Sequence, residues 1–460
     1  VRRLAIIGGG ITGLAAALRA VELSASGGIP VEVMLYESSE NVGGCVQTVR
    51  DKGFTFELGP DSLLVEKPAA ADLLRTLHLH HDVIDTHPEH KRAGLIHSGR
   101  MRAIPEGFRL FSPTSMPALL RSGIFSLAGI ARAAMETIIP ARRESGDESV
   151  SSFVRRRFGR EVLDRLAQPL IGGIYSGDPA RLGMRATLPQ FLDLEARYGS
   201  VLRGMQSAGG AAAVPRLASL RNGVGSLVDA LGERLRQHIR TSAPATSVRR
   251  DRGGWSIAFE GGASVFSDAI VFAVPAYAAA DLLRGQDPDL ADSLQGIRYN
   301  SIATVNLIYE SGALSHIPAV SGFIVPFIER RRIVAATFST LKYSGRAPAG
   351  AAIVRTFVGG ALQPELLRLD EDQLADLSAR ELSDLLGIRG VRARGLVTKW
   401  MRLLPEYGLG HRDRVTEINA RARRLGGLWL AGSAYGGVGI PDCVAAGQAA
   451  VESAFSNFST

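Results

Sequence analysis

Leu4-Ala5-Ile6-Ile7-Gly8-Gly9-Gly10-Ile11-Thr12-Gly13-Leu14-Ala15-Ala16-Ala17-Leu18 decides the fold of this chain. An apolar run of strand length enters a glycine turn, and an alanine-rich helix leaves it. Gly8, Gly10 and Gly13 form G-x-G-x-x-G. In that pattern the first glycine permits the tight turn, the second lets a pyrophosphate approach the backbone, and the third lets helix and strand pack closely. Phosphates would sit on the free N–H groups at the helix start, where the macrodipole is positive. Ile11 and Thr12 open that helix. The pattern predicts a bound dinucleotide.

Working outward, Val31-Glu32-Val33-Met34-Leu35-Tyr36 reads as a second strand, closed by Glu37 and Ser38. One helix and a polar turn, Ser24 to Pro30, separate the two strands, which makes a βαβ unit. The spacing to the acid is slightly over the usual ~20 residues, and the Ser-Gly-Gly insertion accounts for it. A carboxylate at Glu37 accepts hydrogen bonds from ribose hydroxyls and repels a 2′-phosphate. After it comes Val42-Gly43-Gly44, then Phe54 to Leu58, then Gly59-Pro60-Asp61-Ser62. A plain nicotinamide-binding domain does not continue in this way.

With 460 residues, 46% of them hydrophobic, the chain can bury large cores and divide into two or three domains. Its formal net charge of +8 suits nucleic acid, a membrane surface or an anionic small molecule. No basic tail stands out, and no nucleic-acid partner is expected. The densest cluster, Arg155-Arg156-Arg157 with Arg160 and Arg165, reads as a solvated helix face. Cys45 and Cys443 form neither a disulfide framework nor a zinc pattern, which fits a reducing, cytoplasmic setting. The histidines between 78 and 97 match no metal-site spacing and read as a polar surface turn; no metal is expected. The chain opens on its first strand, which leaves no room for a signal peptide, while Val rather than Met at residue 1 keeps a lost or processed leader open. Ile124 to Ile139 is apolar but broken by Arg132 and Glu136. It reads as amphipathic, compatible with a peripheral membrane contact. A monomer or a homodimer is expected.

Further along, residues 69–77, Ser226 to His238 and Asp370 to Leu386 predict helices. The stretch 95–215 is rich in helix formers with Pro and Gly breaks. Residues 244–275 read as a β-meander, and 302–358 as part of a second, mostly antiparallel sheet. Leu428 to Ala431, the glycine loop Gly432 to Gly439, and Val444 to Phe458 repeat the strand–glycine–helix theme at the far end of the chain.

Gly8 to Leu14, Glu37 and Val42-Gly43-Gly44 resemble the FAD-binding opening of the flavin amine oxidase superfamily. Within it the chain resembles the oxygen-dependent porphyrinogen oxidases, most of all the bacterial branch that acts on coproporphyrinogen III or protoporphyrinogen. The matching segments are Gly59-Pro60-Asp61-Ser62, Ile174 to Asp178, Thr187 to Phe191, Pro405 to His411 and Gly436 to Cys443. They span the chain. The resemblance implies that Gly8, Gly10 and Gly13 hold the pyrophosphate, Glu37 the ribose, and that Gly43 and Gly44 pass close to the phosphates. It implies that Gly59 to Ser62 run near the flavin ring, and that Val248 sits in the strand whose backbone meets the adenine. Trp400 and Val438-Gly439-Ile440 would line the flavin, the last three at a helix N-terminus that favours negative charge on the reduced ring. The loop Gly432 to Gly436 carries no cysteine, so the FAD should be non-covalent.

A porphyrinogen is a large apolar macrocycle bearing carboxylates, so its site needs apolar walls and a few cations. Lys67 is either a propionate partner or a surface lysine at a helix start. Gly173, Ile174 and Tyr175 match the segment that lines the macrocycle pocket in relatives. His411 reads as a hydrogen-bonded structural histidine rather than an acid or base.

The expected fold is α/β with α+β inserts. A Rossmann-like FAD-binding domain takes residues 1–65, 220–285 and 395–460. A β-sheet substrate domain takes 66–94 and 286–394. A helical domain, the one with the amphipathic stretch, takes 95–219. The resemblance implies a six-electron oxidation of coproporphyrinogen III in three two-electron cycles. Each cycle sends a hydride to flavin N5, and O2 regenerates the flavin and yields hydrogen peroxide. No side-chain base is expected. Protoporphyrinogen IX is the alternative substrate. A flavin amine oxidase or carotenoid-type desaturase, or a flavin-free binding module, are the other readings of this scaffold. Glu37 and Val438-Gly439-Ile440 argue against the last.

Overall fold

A computed structural model describes the whole chain except residues 28, 105–107, 114–119, 121–122, 143, 145, 208–215, 391–392 and 459–460. Several parts of the expected 95–219 insertion therefore lie outside the described residues. The strand β1 (Arg2–Ile7) runs into the glycine turn, followed by the helix α1 (Ile11–Ser26) and the strand β2 (Val31–Tyr36). β1 is central in a five-stranded parallel sheet. On one side lie β2 and then Ile239–Arg240; on the other lie Ala269–Phe272 and then Leu428–Leu430. Both faces of β1 are covered, which is why it reads as an unbroken apolar run. Leu4 and Ile6 point into a core shared with α1 and the C-terminal helix. Ala5 and Ile7 point into a second core, with Val248 and Trp255 from the three-stranded β-meander.

The C-terminal helix begins at Ile440, four residues earlier than expected, and runs to Phe458. It lies against α1 at very short range. A β-carbon on Gly447 would come within 2.3 Å of the Thr12 carbonyl oxygen. The alanines of α1 and this glycine let two backbones meet where larger residues would hold them apart. The two ends of the chain thus form one layer.

A second sheet has seven strands. In order they are Ala393–Pro405, Tyr299–Glu310, Ala351–Gly359, Ala335–Phe338, Gly322–Ile324, Ala93–His97 and Arg100–Ala103. It is antiparallel except where Gly322–Ile324 pairs with Ala93–His97. The helix Glu371–Leu386, opened by a capping box at Asp370 and Gln373, packs on it. Two boundaries differ from the sequence reading. Residues 93–103 extend the sheet instead of joining the helical stretch, and 395–405 belong to the same sheet. Both are edge segments, recruited by pairing with strands distant in sequence, which no local pattern reports.

Helices between Leu127 and Ser207 enclose a third core. Here the basic cluster departs from expectation. Arg157 is fully buried, ion-paired with Glu136 and Glu195, and it donates to the Ile139 and Gly199 carbonyls. Arg156 bridges Glu148 and Glu195. Arg155 is exposed, while Arg160 and Arg165 pair with Asp164 and Glu161 on their own helix. The run is not one solvated face, because three successive helical residues point about 100° apart. The carboxylates that draw two of them inward lie elsewhere in the sequence.

Gly447→Ala should cost about 1–3 kcal/mol through overpacking of the two helices. A lowered urea midpoint with unchanged slope would register it, whereas the same change at the open position Gly436 should leave the midpoint in place.

Candidate functional site

Gly8 adopts φ +106°, which a side chain would strain. A β-carbon on Gly13 would fall 1.9 Å from the Gly8 carbonyl oxygen. One on Gly10 would meet nothing within 4 Å, so the middle glycine faces open space. The start of α1, with Ile11 and Thr12 buried behind it, has no side-chain cap. Its first N–H groups are thus left for an external acceptor. Glu37 is drawn to the turn. Its Oε2 accepts from the Gly9 N–H at 2.6 Å, and its Oε1 from Ser39 N–H at 2.8 Å and the Ser38 hydroxyl at 3.1 Å. A carboxylate has about four acceptor sites, so capacity remains for hydroxyl donors. Gly43 N–H donates to the Gly9 carbonyl at 2.8 Å, and Gly44 stands against Gly10. The Ala243 N–H reaches the Glu37 carbonyl at 2.9 Å. The strand bearing Val248 (Ala245–Asp251) follows, with Val248 itself buried in the core.

The far end of the chain supplies a second loop. Ala431 N–H continues the sheet onto the Phe272 carbonyl, and Gly432 and Gly437 take φ +128° and +154°. Val438 and Gly439 then lead into the helix at Ile440. Asp442, in its first turn, pairs with Lys67 at 2.6 Å. Lys67 is itself the residue before the helix Pro68–Thr76. Tyr175 lies close enough to Asp442 for that charge, after burial, to help raise its hydroxyl pKa. Its ring is 5.9 Å from that of Tyr407, whose hydroxyl donates to the Ser433 carbonyl. The structure thus gathers Lys67, Tyr175 and the Val438–Ile440 loop. Asp442 was missed as their common partner, although it lies in a segment singled out by sequence. Gly173 and Ile174 are exposed on the helix Gln168–Tyr175, and a β-carbon on Gly173 would lie 3.7 Å from Ile324.

The segment 57–62 is clamped by the seven-stranded sheet. Trp400 Nε1 and Thr304 Oγ1 donate to the Leu58 carbonyl at 2.7 and 2.8 Å. Arg355 donates to the Glu57 and Gly59 carbonyls and pairs with Asp61 at 3.1 Å. Lys342 pairs with Asp61 at 2.9 Å and also reaches Ser62. Burial alone would raise the Asp61 pKa; the Lys342 and Arg355 charges outweigh it and hold the carboxyl below the usual carboxylate range. Asp61 and Ser62 therefore face their own protein. Gly59, just before Pro60, is pressed to the Cys45 carbonyl, where a β-carbon would come within 1.9 Å.

Residues 11–454 match the family of flavin containing amine oxidoreductases. The chain belongs to that family. It is 30% identical to the coproporphyrinogen III oxidase of Bacillus subtilis, over 99% of this chain and 98% of that one. It is 29% identical to the chloroplastic protoporphyrinogen oxidase of Nicotiana tabacum, over 95% of this chain and 83% of that one. A crystal structure of a candidate protoporphyrinogen oxidase from Exiguobacterium sp. 255-15 superposes with a TM-score of 0.87, at 28% identity, covering 98% of each chain.

Membership of a flavin-containing family asks whether these residues suit a flavin nucleotide. They do. Two uncrowded glycines, Gly10 and Gly436, border open space. The uncapped start of α1 and the start of the C-terminal helix both offer N–H donors to negative charge.

In this flavin amine oxidoreductase His411 is buried, stacked on Tyr407 with ring centroids 4.4 Å apart, and its Nε2 has no partner. Burial pushes its pKa down to about 4. The neutral ring is structural. Because the unfolded chain takes up this proton near pH 6.5 and the folded chain does not, stability falls as pH drops from about 6.5 to about 4. The loss should reach about 3 kcal/mol. Urea titrations across that window should show it, and His411→Phe should flatten the slope.

Proposed function

We propose that this chain is an FAD-dependent, oxygen-consuming porphyrinogen oxidase that converts coproporphyrinogen III to coproporphyrin III. The observation that carries the reading is the meeting of Lys67, Asp442 and Tyr175 at the start of the C-terminal helix. There an apolar, carboxylate-bearing substrate would find an aromatic wall at Tyr175 and a cation, Lys67, that exchanges its Asp442 partner for a substrate carboxylate. The nearly full-length likeness to the Bacillus subtilis oxidase supports the substrate. The likeness to the Nicotiana tabacum enzyme keeps protoporphyrinogen IX as the second reading.

Glu37 and Ser38 would hold the adenosine ribose, Gly8, Gly10 and Gly13 the pyrophosphate, and Gly43 and Gly44 the close approach to it. The clamp on Gly59 to Ser62, together with Trp400 and Val438 to Ile440, would fix the ring. When bound, FAD supplies the hydride acceptor and passes the electrons to O2. Binding is read as non-covalent: no cysteine stands in Gly432 to Gly436, and burial pushes the Cys443 thiol up to about 12. Burial keeps the Tyr175 and Tyr407 hydroxyls protonated and disfavours the imidazolium of His411, so all three are poor proton acceptors and none is assigned the role of base. Tautomerisation of the macrocycle would bring each reactive carbon to one face. The three-part division is kept, with 93–103 and 393–405 assigned to the substrate sheet.

Purified protein should be yellow and release its FAD on denaturation. It should turn over coproporphyrinogen III, followed by porphyrin fluorescence and peroxide. Turnover of neither porphyrinogen, or peroxide with amines alone, would sink the proposal. Lys67→Met should raise KM about three- to tenfold, the scale of one partly exposed charge-assisted contact, with little change in kcat.

A further inference from the structure

We infer that Arg330 and Arg332 form a carboxylate-recognising rim that selects a macrocycle with four carboxylates over one with two; this rests on the porphyrinogen reading above. After the strand Gly322–Ile324 the chain makes a 3-10 turn, Phe327–Glu329, and then presents Arg330-Arg331-Arg332. The turn and the arginines line an open recess of about 520 Å3. Phe327 and Ile328 are 48% and 47% exposed there, unusual for adjacent large apolar residues.

The charges are not equivalent. Arg331 is committed to Glu381 and Asp384, and the Arg332 N–H, not its guanidinium, bonds Glu381. Glu329 is turned away onto the Ser98 and Gly99 N–H groups. Glu365 is the acidic group in the recess. Among the described residues the Arg330 and Arg332 guanidinium groups are exposed and have no carboxylate partner. Arg330 also holds φ +54°, a left-handed conformation that favours glycine or asparagine.

The recess is joined to the candidate substrate segment. Phe327 N–H donates to Gln168 Oε1 at 2.8 Å. Gln168 begins the helix that ends at Tyr175, about 10 Å further on by helical rise. Ile174, 44% exposed, stands on the same helix next to Tyr175. A macrocycle resting on Phe327, Ile328 and Ile174 would carry its outer carboxylates to the two free guanidinium groups. Arginine suits that task because its planar fork matches a carboxylate.

The test compares holoenzymes of wild type, Arg330→Gly, Arg332→Gln and the double variant on both porphyrinogens, with fluorescence titration by coproporphyrin III at low and high salt. For coproporphyrinogen III, KM should rise about three- to fivefold per arginine, as for partly exposed ion pairs, with kcat held within about twofold. For protoporphyrinogen IX, KM should move less than about twofold, and the salt dependence of coproporphyrin binding should weaken in the double variant. Arg330→Gly should keep or raise the melting temperature, since it relieves the left-handed backbone. Equal shifts for both substrates, or none, would overturn the rim while leaving the porphyrinogen reading intact. A wild type that turns over neither substrate overturns that reading and the rim with it.

Discussion

The Gly8 carbonyl sits 1.9 Å from where a side chain at residue 13 would begin, and much of the molecule depends on that closeness. It lets α1 start directly above β1 and leaves the helix's first N–H groups uncapped. The same economy of side chains recurs at Gly447, where the C-terminal helix meets the Thr12 carbonyl. Around the first sheet of this oxidoreductase the backbones thus meet at glycines, over a core of larger side chains such as Leu14, Leu18, Val444 and Phe455. Tolerance for substitution at those glycines is correspondingly low.

The sheet contributes polarity where the glycine turn contributes proximity. Arg355, Lys342, Thr304 and Trp400 come from different parts of the second sheet and its flanking turn, yet they converge on residues 57–62. Each takes hold of a carbonyl or carboxylate that would otherwise be buried without a partner. That convergence fixes residues 57–62 against the second sheet.

What could be read from sequence divides along the same line. The strand–glycine–helix context around Gly8 is carried by neighbours in sequence, and so is the helix after Asp370 with its capping box. Contacts between distant segments leave no such trace. Nothing in the local pattern around Asp442 names Lys67, and nothing around Asp61 names Lys342 or Arg355. The basic run at 155–157 shows the cost of reading charge locally: solvent was the reasonable expectation, but Glu136 and Glu195 draw Arg157 fully inside. The hairpin of Ala93–His97 and Arg100–Ala103 and the edge strand Ala393–Pro405 fell across the expected boundaries for the same reason. A strand's sheet is chosen by its partners.

The pairing of the two chain ends also orders events during synthesis. β1 has its neighbour β2 within moments, but its other neighbour, Ala269–Phe272, arrives much later, and the helix that seats on Thr12 later still. At ribosomal speeds of about 5–20 residues per second, roughly 20–90 s separate the appearance of residue 12 from that of residue 447. The open edge of β1 waits only for residues 269–272, whereas one side of α1 stays uncovered on the nascent chain for the whole interval. The layer that holds the glycine turn, although encoded first, is completed among the last. A nascent-chain chaperone would find its natural client surface there, and premature termination anywhere before Gly447 would leave that surface open for good.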